Sequence, residues 1–210
     1  MEALVARPMA PINARRRALL DALVARLREV APRVVLSIQP DTADTLVSRL
    51  ALGTLDLAVD YLHFDDAELC YEPLVEEALC VIAQRGHPAF AHGLDAVAFE
   101  GAAHVSVQPR AGRGSPLEIV LGAAKVRRHV QLFVPHYMPI PAIVATSGLL
   151  GTVPQRLADT FARVLPIESA KLPFAMPRTQ VSVIWHRQRT LSQGLAWLRA
   201  ELHTVVAQSR

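Results

Sequence analysis

Residues 34–59 read VVLSIQPDTADTLVSRLALGTLDLAV, and this stretch decides the fold class. Val34-Val35-Leu36-Ser37-Ile38 is short, apolar and β-branched, which suits a strand. Thr42 is placed as the N-cap of a helix running through Leu46, Leu50 and Leu52, with Gly53 as its left-handed C-cap. Leu55-Asp56-Leu57-Ala58-Val59 then returns to strand. Upstream, Leu19, Leu20, Leu23, Val24, Leu27 and Val30 recur at three- and four-residue spacing, an apolar helix face that Pro11 opens and Ala31-Pro32 closes. A first strand is expected at Ala3–Arg7. Strands alternating with helices across short links predict an α/β fold with a mixed, mainly parallel sheet covered on both faces by helices.

The pattern changes near residue 69. Leu69–Leu74 and Ala78–Ala83 read as two strands with no helix between them, and Arg85-Gly86-His87-Pro88 is a turn. A second α/β series follows. It has strands at 103–108, 130–134 and 149–153, helices at 117–124, 140–145 and 154–161, and a Gly-rich loop at 110–115. Val164-Leu165 is read as a short strand before a Pro-punctuated stretch, 166–177. The end is a strong strand, Val181-Ser182-Val183-Ile184-Trp185, and a helix from Ser192 with Leu195, Leu198, Leu202 and Val205 on one face. A strand and helix left over after the second series predict a discontinuous first lobe, residues 1–83 plus 178–210, with 84–177 forming the second. Two chain crossings between lobes make a hinge, and the cleft there is the expected ligand site.

Composition narrows the function. The chain of 210 residues is 51% hydrophobic and carries a formal charge of +3. Only two of its 22 basic residues are lysines, and the clusters Arg15–Arg17 and Lys125/Arg127/Arg128 read as solvated helix ends without interleaved aromatics, not as a nucleic-acid track. Apolar runs stop well short of the ~20 residues a membrane span needs, and no leader pattern opens the chain, so the expected compartment is the cytoplasm. Cys70 and Cys80 read as buried, reduced thiols. Gly-x-Ser-x-Gly and His-Glu-x-x-His are absent, the histidines are scattered, and the 110–115 loop lacks the spacing of a P-loop. Neither an enzyme nor a cofactor or metal is expected. Asp65, Asp66 and Glu68 read as a solvated loop face, and His186 and His203 as structural.

Several segments, in order, resemble the effector-binding domain of LysR-type transcriptional regulators. They are Leu27-Arg28-Glu29-Val30-Ala31-Pro32, Gly53 to Val59, Glu77-Ala78-Leu79-Cys80-Val81-Ile82 with Gly86-His87-Pro88, Trp185-His186, and Trp197-Leu198-Arg199. Three further stretches, His104-Val105-Ser106-Val107, Val134-Pro135-His136-Tyr137, and Ala145-Thr146-Ser147 with Thr152 to Ala158, are similar to the branch that senses aromatic acids, chlorophenols and flavonoid-like inducers. The resemblance implies a two-lobed, periplasmic-binding-protein type 2-like fold, an inducer cleft, and assembly into dimers or tetramers. It implies contact with DNA only through a winged helix-turn-helix that this chain does not contain, either because the domain is excised or because the reader is lost. A free-standing solute-binding protein of the same fold is the alternative.

Eight residues are expected to contact ligand. His136, at a strand-to-helix junction, either hydrogen-bonds a phenol or carboxylate or caps its turn. Arg7 either pairs with an acidic effector or sits at the rim, and Pro8 beside it offers no N–H. Ser106 and Gln108 flank the strand end before the Gly-rich loop, where Ser115 opens a helix whose N-terminus attracts anions. Thr146 either caps or contacts ligand, and Thr152 completes the set.

Overall fold

The structure, a computed structural model, describes residues 5–6, 14–39, 43–109, 117–118 and 127–208. Strands β1 (Val5–Ala6) and β2 (Val35–Leu36) pair in parallel, β2 being shorter than its apolar run. Helix α1 (Ala14–Val30) ends where expected, Ala31 N–H donating to Leu27 O before Pro32. Its buried face is narrower than the periodicity implies: Leu23 and Leu27 enter the core, whereas Val24 and Val30 are exposed. Helix α2 (Ala43–Ala51) is followed by Gly53 at φ 67°, the left-handed conformation that ends a helix. Thr42, its expected N-cap, lies outside the described residues.

Chain compactness divides the molecule into two units. Arg16–Glu76 and Gln180–Arg210 belong to the first and Glu77–Thr179 to the second. In the first unit, β3 (Ala58–Asp60), β4 (Leu69–Glu77) and β10 (Thr179–His186) form one sheet in the order β3-β10-β4, so the strand latest in sequence is central. Val183 pairs antiparallel with Val59, and Ile184 with Ala58. Leu57, Val59, Leu74, Val183 and Trp185 meet Leu23 and Leu27 of α1 and Leu195, Leu198, Leu202 and Val205 of helix α6 (Gln193–Gln208). Burying such aliphatic side chains contributes about 1.5–3 kcal/mol each. At the edge of that core the Arg199 guanidinium stacks 3.9 Å over the Trp185 ring and donates to Glu72.

The second unit is built on five strands in the order β7-β6-β8-β5-β9. They are β5 (Leu79–Gln84), β6 (Ala103–Val107), β7 (His129–Val134), β8 (Leu150–Pro154) and β9 (Ile167–Lys171). β6 runs parallel to both β7 and β8, whereas β5 runs antiparallel to β8 and β9. β5 therefore belongs with the second unit, and the expected boundary at 83/84 falls one strand late. β9 occupies the stretch read as Pro-punctuated loop; the expected strand at Val164-Leu165 is a turn.

One face of this sheet, carrying Cys80, Ile82, Val105, Val107 and Val153, packs on helices α4 (Ile140–Ser147) and α5 (Gln155–Phe161). The other face, carrying Val81, Ala83 and Leu150, packs on Phe99 of the short helix α3 (Ala96–Gly101) and on Leu117. Glycine is required at 151 because α4 lies directly over β8: a Cβ there would stand 2.5 Å from Ile140 Cγ2. No helix among the described residues is long and apolar enough to cross a membrane.

Candidate functional site

Three buried polar side chains of the second unit, His104, Ser106 and Thr152, lie on the sheet face opposite α4 and α5. Two register pairs, His104 with Leu150 and Val105 with Gly151, make Ser106 and Thr152 the next residues along adjacent parallel strands. Thr152 also pairs with Val81, which fixes it on the Val81–Leu150 face; alternation puts His104 and Ser106 there too. Two hydroxyls thus lie on neighbouring strands of one apolar face, both more than nine-tenths buried.

Their hydrogen-bonding states differ. Ser106 Oγ accepts from Arg128 Nη2 at 3.1 Å, and its own proton reaches Val107 O only at 3.4 Å. Thr152 Oγ1 is buried and finds no hydrogen-bond partner among the described residues. A buried hydroxyl left in that state costs roughly 1–3 kcal/mol, and such groups are exceptional enough to need a reason.

Arg128 was not expected here. With Lys125 and Arg127 beside it, it reads as part of a solvated helix end; Arg127 is indeed exposed, but the Arg128 side chain is 2% exposed. Its Nη2 lies 3.4 Å from Glu118 Oε1, a carboxylate that is itself 23% exposed. Burial lowers the Arg128 pKa from its usual value, while Glu118 and the Tyr137 hydroxyl act to hold the proton on. Behind this cluster, His104 is fully buried, hydrogen-bonds Phe99 O through Nε2 at 2.7 Å and meets the Phe99 ring edge-on. Because a carbonyl only accepts, Nε2 carries the proton. Desolvation, with a smaller contribution from the Arg128 charge, pushes the His104 pKa down to about 4, so the ring is neutral at physiological pH.

The remaining expected contacts scatter. His136 is half-buried just past β7, and its Nδ1 is buried without a partner among the described residues. Gln108 is exposed at the end of β6, its backbone N–H donating to Val134 O. Thr146 is exposed on α4, and its hydroxyl bonds back to Ala142 O and Ile143 O of its own helix, as helical threonines often do. Arg7, Pro8 and Ser115 lie outside the described residues, as do the Gly-rich loop and all of the expected 117–124 helix except Leu117 and Glu118. The structure thus brings Ser106 and Thr152 together, adds Arg128 and Glu118, and sets Gln108 and Thr146 at the surface. Nothing in the local sequence marks Arg128 as buried, since its burial is a tertiary fact.

The chain is similar to several known proteins. It is 27% identical to the HTH-type transcriptional activator NahR of Pseudomonas putida over 173 residues, 82% of this chain and 58% of NahR. It therefore spans less than two thirds of that relative's length. The crystal structure of the probable transcriptional regulator PA0477 from Pseudomonas aeruginosa superposes with a TM-score of 0.84 at 23% identity, covering 94% of this chain and 65% of that one. The regulatory domain of MexT, a transcriptional activator in the same organism, superposes with a TM-score of 0.76 at 20% identity, covering 95% and 98%. These likenesses establish a periplasmic-binding-protein type 2-like fold. With the family model for the LysR substrate binding domain matching residues 14–207, the chain belongs to that family, the effector-binding regulatory domains of LysR-type transcriptional regulators.

Proposed function

We propose that this domain senses a small aromatic or anionic effector through the polar face of its second unit, within a LysR-type regulator acting in the cytoplasm. The observation that carries the reading is the buried Thr152 hydroxyl, unanswered among the described residues, beside the buried Ser106 hydroxyl on a sheet face otherwise lined by Val81, Ala83 and Leu150. An apolar wall with a few fixed polar groups suits a small, largely apolar ligand with one hydrogen-bonding end. His136, with its buried Nδ1, is the third polar contact. The resemblance of the 104–107 and 134–137 segments to the aromatic-sensing branch supports the same class. A ligand that prefers one conformation of the domain shifts its population toward that conformation. In the full-length regulator this shift is passed to winged helix-turn-helix units through homodimeric or tetrameric assembly.

The test is thermal unfolding of the domain with a panel of benzoates, phenols, aliphatic acids and amines. A specific effector at 100 times its Kd stabilises by about 2.7 kcal/mol, which at this size raises Tm by roughly 5–11 °C. A panel in which no compound gives a saturable rise overturns the reading.

A further inference from the structure

Arginine is almost never fully buried without a partner, because removing the guanidinium from water is costly. The Arg128 side chain is nevertheless 2% exposed, and the described polar groups near it bear on what it can bind. Ser106 Oγ takes one of its N–H donors, Glu118 supplies the nearby negative charge, and Tyr137 and His104 lie close enough to interact electrostatically. The members differ in access. Arg128 and Ser106 are enclosed, whereas the Glu118 carboxylate is the member that solvent reaches. Charge-assisted N–H···O bonds close to about 2.7–2.9 Å; the 3.4 Å between Arg128 Nη2 and Glu118 Oε1 is a longer contact, one that another carboxylate could improve on. The hydroxyls point to the same chemistry. Ser106 accepts from Arg128 and spends its own proton only on a long 3.4 Å contact to Val107 O, and the Thr152 proton has no partner among the described residues. Guanidinium N–H and two hydroxyls together answer a group that only accepts, namely a carboxylate or a phenolate.

We propose that Arg128 is the anion-recognising residue of the effector site, and that Glu118 is its resident counter-ion, displaced when an anionic effector binds. This rests on the effector reading above and adds a specificity-determining residue and a built-in competitor to it. In this arrangement the guanidinium is never left without a counter-charge: one carboxylate leaves for solvent as another arrives.

The probes are benzoate and benzamide, which share a ring and differ in charge, titrated calorimetrically into the 210-residue domain. Wild type binds benzoate more tightly than benzamide. Glu118→Gln removes the competing charge and tightens benzoate by about tenfold, with benzamide changing less than about twofold because a neutral amide does not contend for the guanidinium. Arg128→Gln weakens benzoate on the order of 100-fold, and Arg128→Lys falls between, since a point charge lacks the planar fork. Should Arg128→Gln not fold, Glu118→Gln decides alone. The proposal is overturned if Glu118→Gln weakens benzoate, leaves it unchanged, or tightens both probes equally. A domain that Glu118→Gln leaves indifferent to benzoate while some neutral panel compound stabilises it loses this inference but keeps the effector reading; one that binds nothing in the panel loses both.

Discussion

Replacing Thr152 with valine separates a hydroxyl kept for a ligand from one kept for the fold. Valine has the same branched shape and the same strand preference, so the packing of position 152 against Val81 and Leu150 is retained. What changes is one buried oxygen with no partner among the described residues. Leaving such an oxygen unsatisfied costs roughly 1–3 kcal/mol. Taking the lower end, Thr152→Val stabilises the free domain by about 1 kcal/mol and raises Tm by roughly 2–4 °C. Effector affinity moves the other way: loss of one hydrogen bond of about 1.4 kcal/mol weakens binding about tenfold. Gain of stability with loss of binding is the signature of a residue retained for function. Urea unfolding of the free domain and calorimetry with the compound that the panel identifies supply the two measurements. If Thr152→Val destabilises the free domain by 1 kcal/mol or more, the hydroxyl is already satisfied within the protein and the reasoning fails.

Three further outcomes follow from the second unit. Gly151→Ala forces a methyl to within 2.5 Å of Ile140 Cγ2, and overpacking of this kind costs about 1–3 kcal/mol; a Tm equal to or above wild type is incompatible with the close approach of α4. Because burial holds Cys80 near pKa 12, its thiol stays protonated and resists iodoacetamide at pH 8 in the folded domain; mass spectrometry showing alkylation of Cys80 at the rate of the unfolded chain is the contrary result. His104 has a folded pKa of about 4 against about 6.5 unfolded, so the unfolded chain binds the extra proton and stability drops as pH falls from 6.5 to 4, by up to roughly 3 kcal/mol. Urea midpoints measured across that window should fall more steeply for wild type than for His104→Gln, and parallel curves would remove His104 from the account.

Much of the fold is legible because the segments that decide it are strongly periodic or strongly punctuated. Gly53 marks the end of α2, the paired runs before and after Ala78 mark β4 and β5, and the β-branched run ending at Trp185 marks β10. The misreadings have specific physical origins. β9 is an edge strand that begins beside Pro166 and has one fully buried residue, Ile167, with Glu168 and Ala170 on the opposite face and Ser169 and Lys171 exposed, so its apolar signal is thin. α3 is short, and its clearest cue, the Asp95 side chain accepting from Ala98 N–H as an N-cap, is a single residue. β5 could not be assigned to a unit by its own sequence, because buried strands look alike and only pairing with β8 and β9 settles its place. At the site, Ser106 and Thr152 could be named from resemblance. Arg128 could not, since a basic residue among basic neighbours carries no local sign that the fold will enclose it.

The central place of β10 has a consequence for synthesis. On the ribosome, β3 and β4 emerge long before the strand that joins them, with the whole of the second unit translated in between. All five strands of that second unit are complete by Lys171, so it can close its sheet while the first still lacks the middle strand of its own. Released chains truncated before Thr179 would therefore protect residues 79–171 from protease while leaving residues 58–77 open to it, and resistance there should arrive only once β10 (Thr179–His186) is present.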